Sequence, residues 1–171
     1  ALILVDQRMS MFFGTQHAMK SVIAAETAAL AAFRILDQGD RVGGIVFGDE
    51  FGAEIKPKAN RPTRDRFLTA ISRANQLLRA DAPAIGTPMS LSTPLRTAAR
   101  IARRNHLVIV ISDFDGLDEQ TASLIGRIAS TNDLILCPVT DPIAGEIPAG
   151  LKLVVSDGEL QVELDTASGE I

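Results

Sequence analysis

Four short stretches of the chain carry unbroken apolar runs: ALILV (1–5), RVGGIVFG (41–48), HLVIVISD (106–113) and NDLILCPV (132–139). None alternates apolar with polar residues, as a strand with one wet face would. Such runs belong to strands covered on both sides, which is the pattern of a parallel sheet sandwiched by helices. Parallel neighbours need long crossover connections, so helices are expected between them.

Those helices are legible. KSVIAAETAALAAFRILDQ (20–38) places Val22, Ala25, Ala29, Phe33 and Leu36 at helical spacing, with Gly39 at the C-cap position. TRDRFLTAISRANQLLR (63–79) carries Phe67, Ile71, Ala74 and Leu78 on one stripe, with Thr63 as expected N-cap. TPLRTAARIARR opens with Thr93 as N-cap and Pro94 at the first helical position, and LDEQTASLIGRIAS (117–130) with Asp118 as N-cap. FGAEIKP (51–57) follows the second run after only GDE, too short for a crossover, so this third strand is expected to be an antiparallel edge. LKLVV and LQVEL, separated by SDGE, predict a hairpin near the end. The fold class is therefore α/β: a doubly wound, mostly parallel sheet with helices on both faces. The 171 residues, with neither repeat nor linker, read as one domain, 1–171.

Composition narrows the functions. Aromatic residues are scarce, with 7 Phe and no Trp or Tyr, which removes base-stacking platforms. A net charge of -4 and a pI near 5.2 give no basic footprint, so no nucleic-acid partner is expected. The arginines of NRPTRDR and RTAARIARR read as solvated helix faces. Cys137 stands alone in an apolar run and reads as a buried structural thiol; His17 and His106 supply neither a zinc site nor a triad. No run is long enough to span a bilayer, so no membrane insertion by this segment is expected and its expected location is the cytoplasm. The chain starts at Ala1, directly in a strand and without Met, so it reads as a trimmed fragment with room for an upstream membrane segment.

In open α/β sheets ligands bind beyond the carboxyl ends of the strands. Two apolar runs end there in aspartate, ILVD at Asp6 and IVISD at Asp113, with Ser10 four residues after the first. A buried carboxylate needs compensation by a cation, by N–H groups or by an arginine. Two carboxylates, a hydroxyl and waters suit Mg²⁺. The rival motifs fail: DQRMSMFFGTQHAMKS lacks the first glycine of a phosphate loop, GGIVFG lies inside a strand, Arg8 stands where an aspartyl phosphatase needs its second carboxylate, and no GxSxG elbow occurs.

The stretches LVDQRMSMFFG…K, AAETAALAAFRILDQGDRVGGIVFGD and LVIVISDFDG, continued by the tail DPIAGEIPAGLKLVVSDGELQVEL, resemble the von Willebrand A-like domain of the bacterial family called domain of unknown function fifty-eight. The resemblance implies the C-terminal part of a longer protein, and a sheet ordered 3-2-1-4-5-6 with strand 3 antiparallel. It also implies a metal-ion-dependent adhesion site, Asp-x-Ser-x-Ser after strand 1, a middle-loop Thr and an Asp after strand 4. Carried onto this chain, Asp6, Ser10 and Asp113 match ligand positions. Thr87 matches only with a two-residue shift, because Met89 falls at the threonine's place. Arg8 replaces the first serine, so the site is degenerate. At about 4 Å and an effective dielectric of about 20, each unit-charge pair is worth roughly 4 kcal/mol, and twice that against a divalent ion. Arg8 is therefore expected to weaken Mg²⁺ and to pair with Asp6 or Asp113 in its stead.

The resemblance implies a non-enzymatic protein-interaction module, an adaptor for a MoxR-type AAA+ ATPase in assembling or activating protein complexes. Arg8, Met11 and Phe12 are the expected partner contacts. The alternative is a metal-assisted hydrolase or phosphoryl-transfer enzyme using Asp6 and Asp113, against which stand Arg8 and the lack of a base.

Overall fold

The computed structural model describes residues 1–49, 52–81 and 88–143 in full, and the backbone of 144, 152–156 and 161–165. Five strands, β1 (Leu2–Asp6), β2 (Val42–Phe47), β3 (Gly52–Lys58), β4 (Leu107–Ser112) and β5 (Asp133–Pro138), form one sheet in the order β3-β2-β1-β4-β5. β1 pairs in parallel with β2 and β4, β4 in parallel with β5, and β3 runs antiparallel on the edge. The predicted centre of the sheet and the antiparallel third strand are both present. The sixth strand differs: Lys152–Ser156 (β6) pairs with Gln161–Asp165 (β7) in a separate two-stranded sheet, as the SDGE hairpin predicts, rather than extending the sheet beyond β5.

All five residues of β1 are buried. Successive side chains alternate between two cores, as the pleat requires. Ile3 and Val5 face helices α1 (Lys20–Asp37) and α2 (Arg61–Leu77), whereas Leu2 and Leu4 face α3 (Ser92–Ile101) and α4 (Glu119–Ala129). The sheet is covered by helices on both faces.

The core face of α1 is Ala24, Ala28 and Ala32, one position away from the predicted stripe, and Phe33 is 48% exposed. Alanines let the helix lie close on β1 and β2, and that close approach leaves no room for a phenylalanine. Phe33 instead lies under the Arg64 guanidinium, 4.3 Å from it. Gly44 follows the same logic on α2, since a Cβ there would strike the Phe67 ring. Asn60, rather than Thr63, caps α2: its Oδ1 accepts the Thr63 N–H at 2.9 Å, and Thr63 itself is buried. α3 begins at Ser92 after Leu91, so Thr93 is not its cap, whereas Asp118 caps α4 as expected. β5 is half-exposed rather than buried, with Ile135 and Leu136 open, because it forms the sheet's edge among the described residues. Cys137 on it is accordingly partly exposed, against the buried thiol expected.

Candidate functional site at the strand ends

The carboxyl ends of β1, β2 and β4 converge on one crevice, and each delivers an aspartate to it. Asp6 closes β1 and is fully buried; Asp49 follows β2; Asp113 follows β4 and its side chain is 8% exposed.

Arg8 turns back onto Asp6. Its Nε lies 3.1 Å from both Asp6 carboxylate oxygens and its Nη2 2.8 Å from Oδ2. The Arg8 backbone N–H donates to Asp6 Oδ1 at 2.9 Å, closing a tight turn after the strand. The Ser112 hydroxyl donates to Asp6 Oδ2 at 2.6 Å while accepting the Phe114 N–H at 2.9 Å. Each of these partners of Asp6 is a donor, so Asp6 acts as an ionised acceptor. Burial pushes its carboxyl above the ordinary range; the hydrogen bonds and charge of Arg8, then Ser112, oppose that push. Burial also acts against the Arg8 charge, but Asp6, Asp113 and Asp49 outweigh it and hold the guanidinium above its ordinary value.

The far side of the guanidinium faces two other loops. Nη1 donates to the carbonyls of Met89 and Asp115, each at 3.2 Å, and Nη2 stands 3.6 Å from Asp113 Oδ1. Lys20, at the start of α1, reaches Asp113 Oδ2 at 2.7 Å. Burial of Asp113 raises its pKa, but the Lys20 hydrogen bond, the Asp115 N–H and the Lys20 charge prevail and lower it; nearby Ser10 acts in the same direction. Ser10 Oγ is nonetheless buried without a hydrogen-bond partner. Asp49 ties the loops together, accepting the Met9 N–H at 2.7 Å and the Met89 N–H at 2.9 Å. Phe114 sits beside these groups at φ +58°, a conformation costly for a bulky residue and held here by its N–H bond to Ser112.

The structure thus brings Asp6, Arg8, Ser10 and Asp113 to one place. Thr87 lies outside the described residues; Met89 takes part, through its backbone alone. Of the expected partner contacts, Arg8 is 5% exposed and Met11 fully buried in the core under α1, so neither forms a surface patch; Phe12 is half-buried. Phe13, 45% exposed, stands on the rim instead. Lys20, Asp49 and Ser112 are participants that sequence reasoning missed. Asp49 carried the same signal as Asp6 and Asp113, an acid just past an apolar strand. Lys20 closes the stretch LVDQRMSMFFG…K, but nothing in the local sequence points to its partner, 93 residues away.

These donors do not suit a divalent ion. Mg²⁺ seeks six oxygens, waters included. Here the guanidinium covers both oxygens of Asp6, and an ammonium covers one of Asp113. Among the described residues no group of three or more His, Cys, Asp or Glu could hold a metal. What stays open is a shallow crevice of about 600 Å³ lined by Ser10, Phe13, Lys20, Asp113, Phe114 and Asp141. Asp141 is itself fixed by Thr15, whose hydroxyl and N–H reach it at 2.6 and 2.8 Å, and those bonds, the hydroxyl's first, lower its pKa. A larger recess, about 1140 Å³, lies at the opposite end of the sheet by Ala1, Arg41 and His106, away from the three aspartates.

Among solved structures, BatB from Bacteroides thetaiotaomicron is similar with a TM-score of 0.60 and 16% identity, covering 98% of this chain and 80% of that one. An aerotolerance-related membrane protein from Bacteroides fragilis gives 0.55 at 14% identity, covering 98% and 82%. The manganese-loaded TRAP protein of Plasmodium vivax gives 0.53 at 12%, covering 98% and 68%. At these identities the likeness is one of fold. An uncharacterised protein of Mycobacterium tuberculosis is 27% identical over 157 residues, 92% of this chain and 47% of that protein, and one of Mycobacterium bovis matches equally. The chain spans about half the length of the curated relatives it matches. The model of the family described as "Protein of unknown function DUF58" matches residues 1–170, and the chain belongs to that family.

Proposed function

We propose that this chain is a non-enzymatic protein-interaction module that presents its strand-end crevice to a protein partner. One observation carries the reading: the two carboxylates that an enzyme reading would use are already paired with cations of the same chain, Asp6 with Arg8 and Asp113 with Lys20. Neither is free to act as a general base or to hold a catalytic ion. The Ser112 hydroxyl, nearest to a nucleophile in position, donates its proton to Asp6 and accepts an N–H, which leaves it without an activating base. The rim offers Phe13 and the exposed Asp115, an apolar anchor beside a charge, as contacts. The partner proposed from the family resemblance is a MoxR-type AAA+ ATPase, with this chain as its adaptor in assembling or activating complexes.

The test is a pull-down with the full-length protein, with and without ATP and Mg²⁺, against its Phe13→Asp variant. Recovery of the ATPase by the wild type and its loss with the variant is the expected result. Hydrolysis of phosphate-ester substrates with Mn²⁺, abolished by Asp113→Asn, would overturn the reading.

A further inference from the structure

We infer that Arg8 and Lys20 together stand in place of a divalent ion, so that this crevice is assembled permanently by its own chain and needs no metal. The inference does not depend on the partner's identity. The Arg8 guanidinium links the loop after β1 to the loop before α3 and to the loop after β4, through Asp6, the Met89 carbonyl, and the Asp115 carbonyl with Asp113 nearby. Its planar fork offers five donors, and the structure uses them on both sides. The charges point the same way. Arg8 and Lys20 supply two positive charges to Asp6 and Asp113, while Asp49, the third acid of the crevice, is held by the Met9 and Met89 N–H groups. Ser10 stands beside the pair, in the crevice that Lys20 and Asp113 line.

A consequence separates this chain from a metal-dependent one. Removing divalent ions should leave both its stability and its crevice untouched, whereas removing its own cations should create a demand for an ion. The full-length wild type and Arg8→Ser/Lys20→Met, which restores an Asp-x-Ser-x-Ser pattern, are melted in chelator and in 10 mM Mn²⁺ or Mg²⁺, in conditions set by about 10 mM of ion. A site with a millimolar Kd would raise Tm by about 3 °C or more at that concentration. The expected result is no shift for the wild type and a shift of that size for the double variant. A wild-type shift that Asp113→Asn abolishes would overturn the inference. So would a folded double variant, judged by circular dichroism, that ignores both ions. Should the double variant fail to fold, Mn²⁺ broadening of wild-type amide resonances near Asp113 decides: unbroadened signals support the inference, and selective broadening at low equivalents overturns it.

Discussion

At the scale of single residues, the pair Asp6–Arg8 is held by geometry rather than by burial alone. Truncating one member of a buried ion pair strands the other, at a cost of about 3–5 kcal/mol. Arg8→Met is therefore expected to lower unfolding stability by about that amount in urea titration, because Asp6 is fully buried. Asp6→Asn/Arg8→Met should recover much of the loss; equal destabilisation in the single and double variants would show that the pairing is incidental. Asp113 gives a pH prediction. Its folded-state pKa lies below the ordinary 3.8, so the stability it contributes is complete above that value and disappears as pH falls through the lower folded value. Asp113→Asn should thus be less stable than the wild type at pH 7, with the gap closing below about pH 4 as the wild-type carboxyl becomes neutral. A gap that stays constant down to pH 2 would contradict the assignment.

The elements show what could be read in advance and what could not. Asp6 and Asp113 were legible because an acid at the end of an apolar strand has few physical explanations. Lys20 was not, because only the packing of α1 against β4 brings it to Asp113. The boundaries of α1 follow its composition, yet its buried stripe is set by clearance: alanines face the sheet and Phe33 is turned away. β5 has the sequence of a covered strand and the exposure of an edge, since neighbours rather than composition decide burial. Two substitutions test these statements. Gly44→Ala should lose about 1–3 kcal/mol by overpacking, because its Cβ meets the Phe67 ring, and Gly44→Ala/Phe67→Leu should regain part of it. Asn60→Ala should lose about 1 kcal/mol with the α2 cap, and Asn60→Asp should not. Chemical denaturation checks both, and an unchanged midpoint for Gly44→Ala would show that α2 has room to shift.

For the whole molecule, the doubly wound order puts three acidic strand ends at one edge and leaves this chain to neutralise them. Nearly all of the described sheet serves that placement: parallel pairing of β1 with both β2 and β4 sets Asp6 between Asp49 and Asp113. Two side chains, Arg8 from the turn after β1 and Lys20 from α1, then do the work that an ion does at metal-dependent crevices. No helix among the described residues is long and apolar enough to cross a membrane. The most direct test of the account is calorimetric titration of Mn²⁺ into the full-length wild type at neutral pH. The account predicts no binding heat attributable to the crevice. Stoichiometric binding that disappears in Asp113→Asn would contradict it.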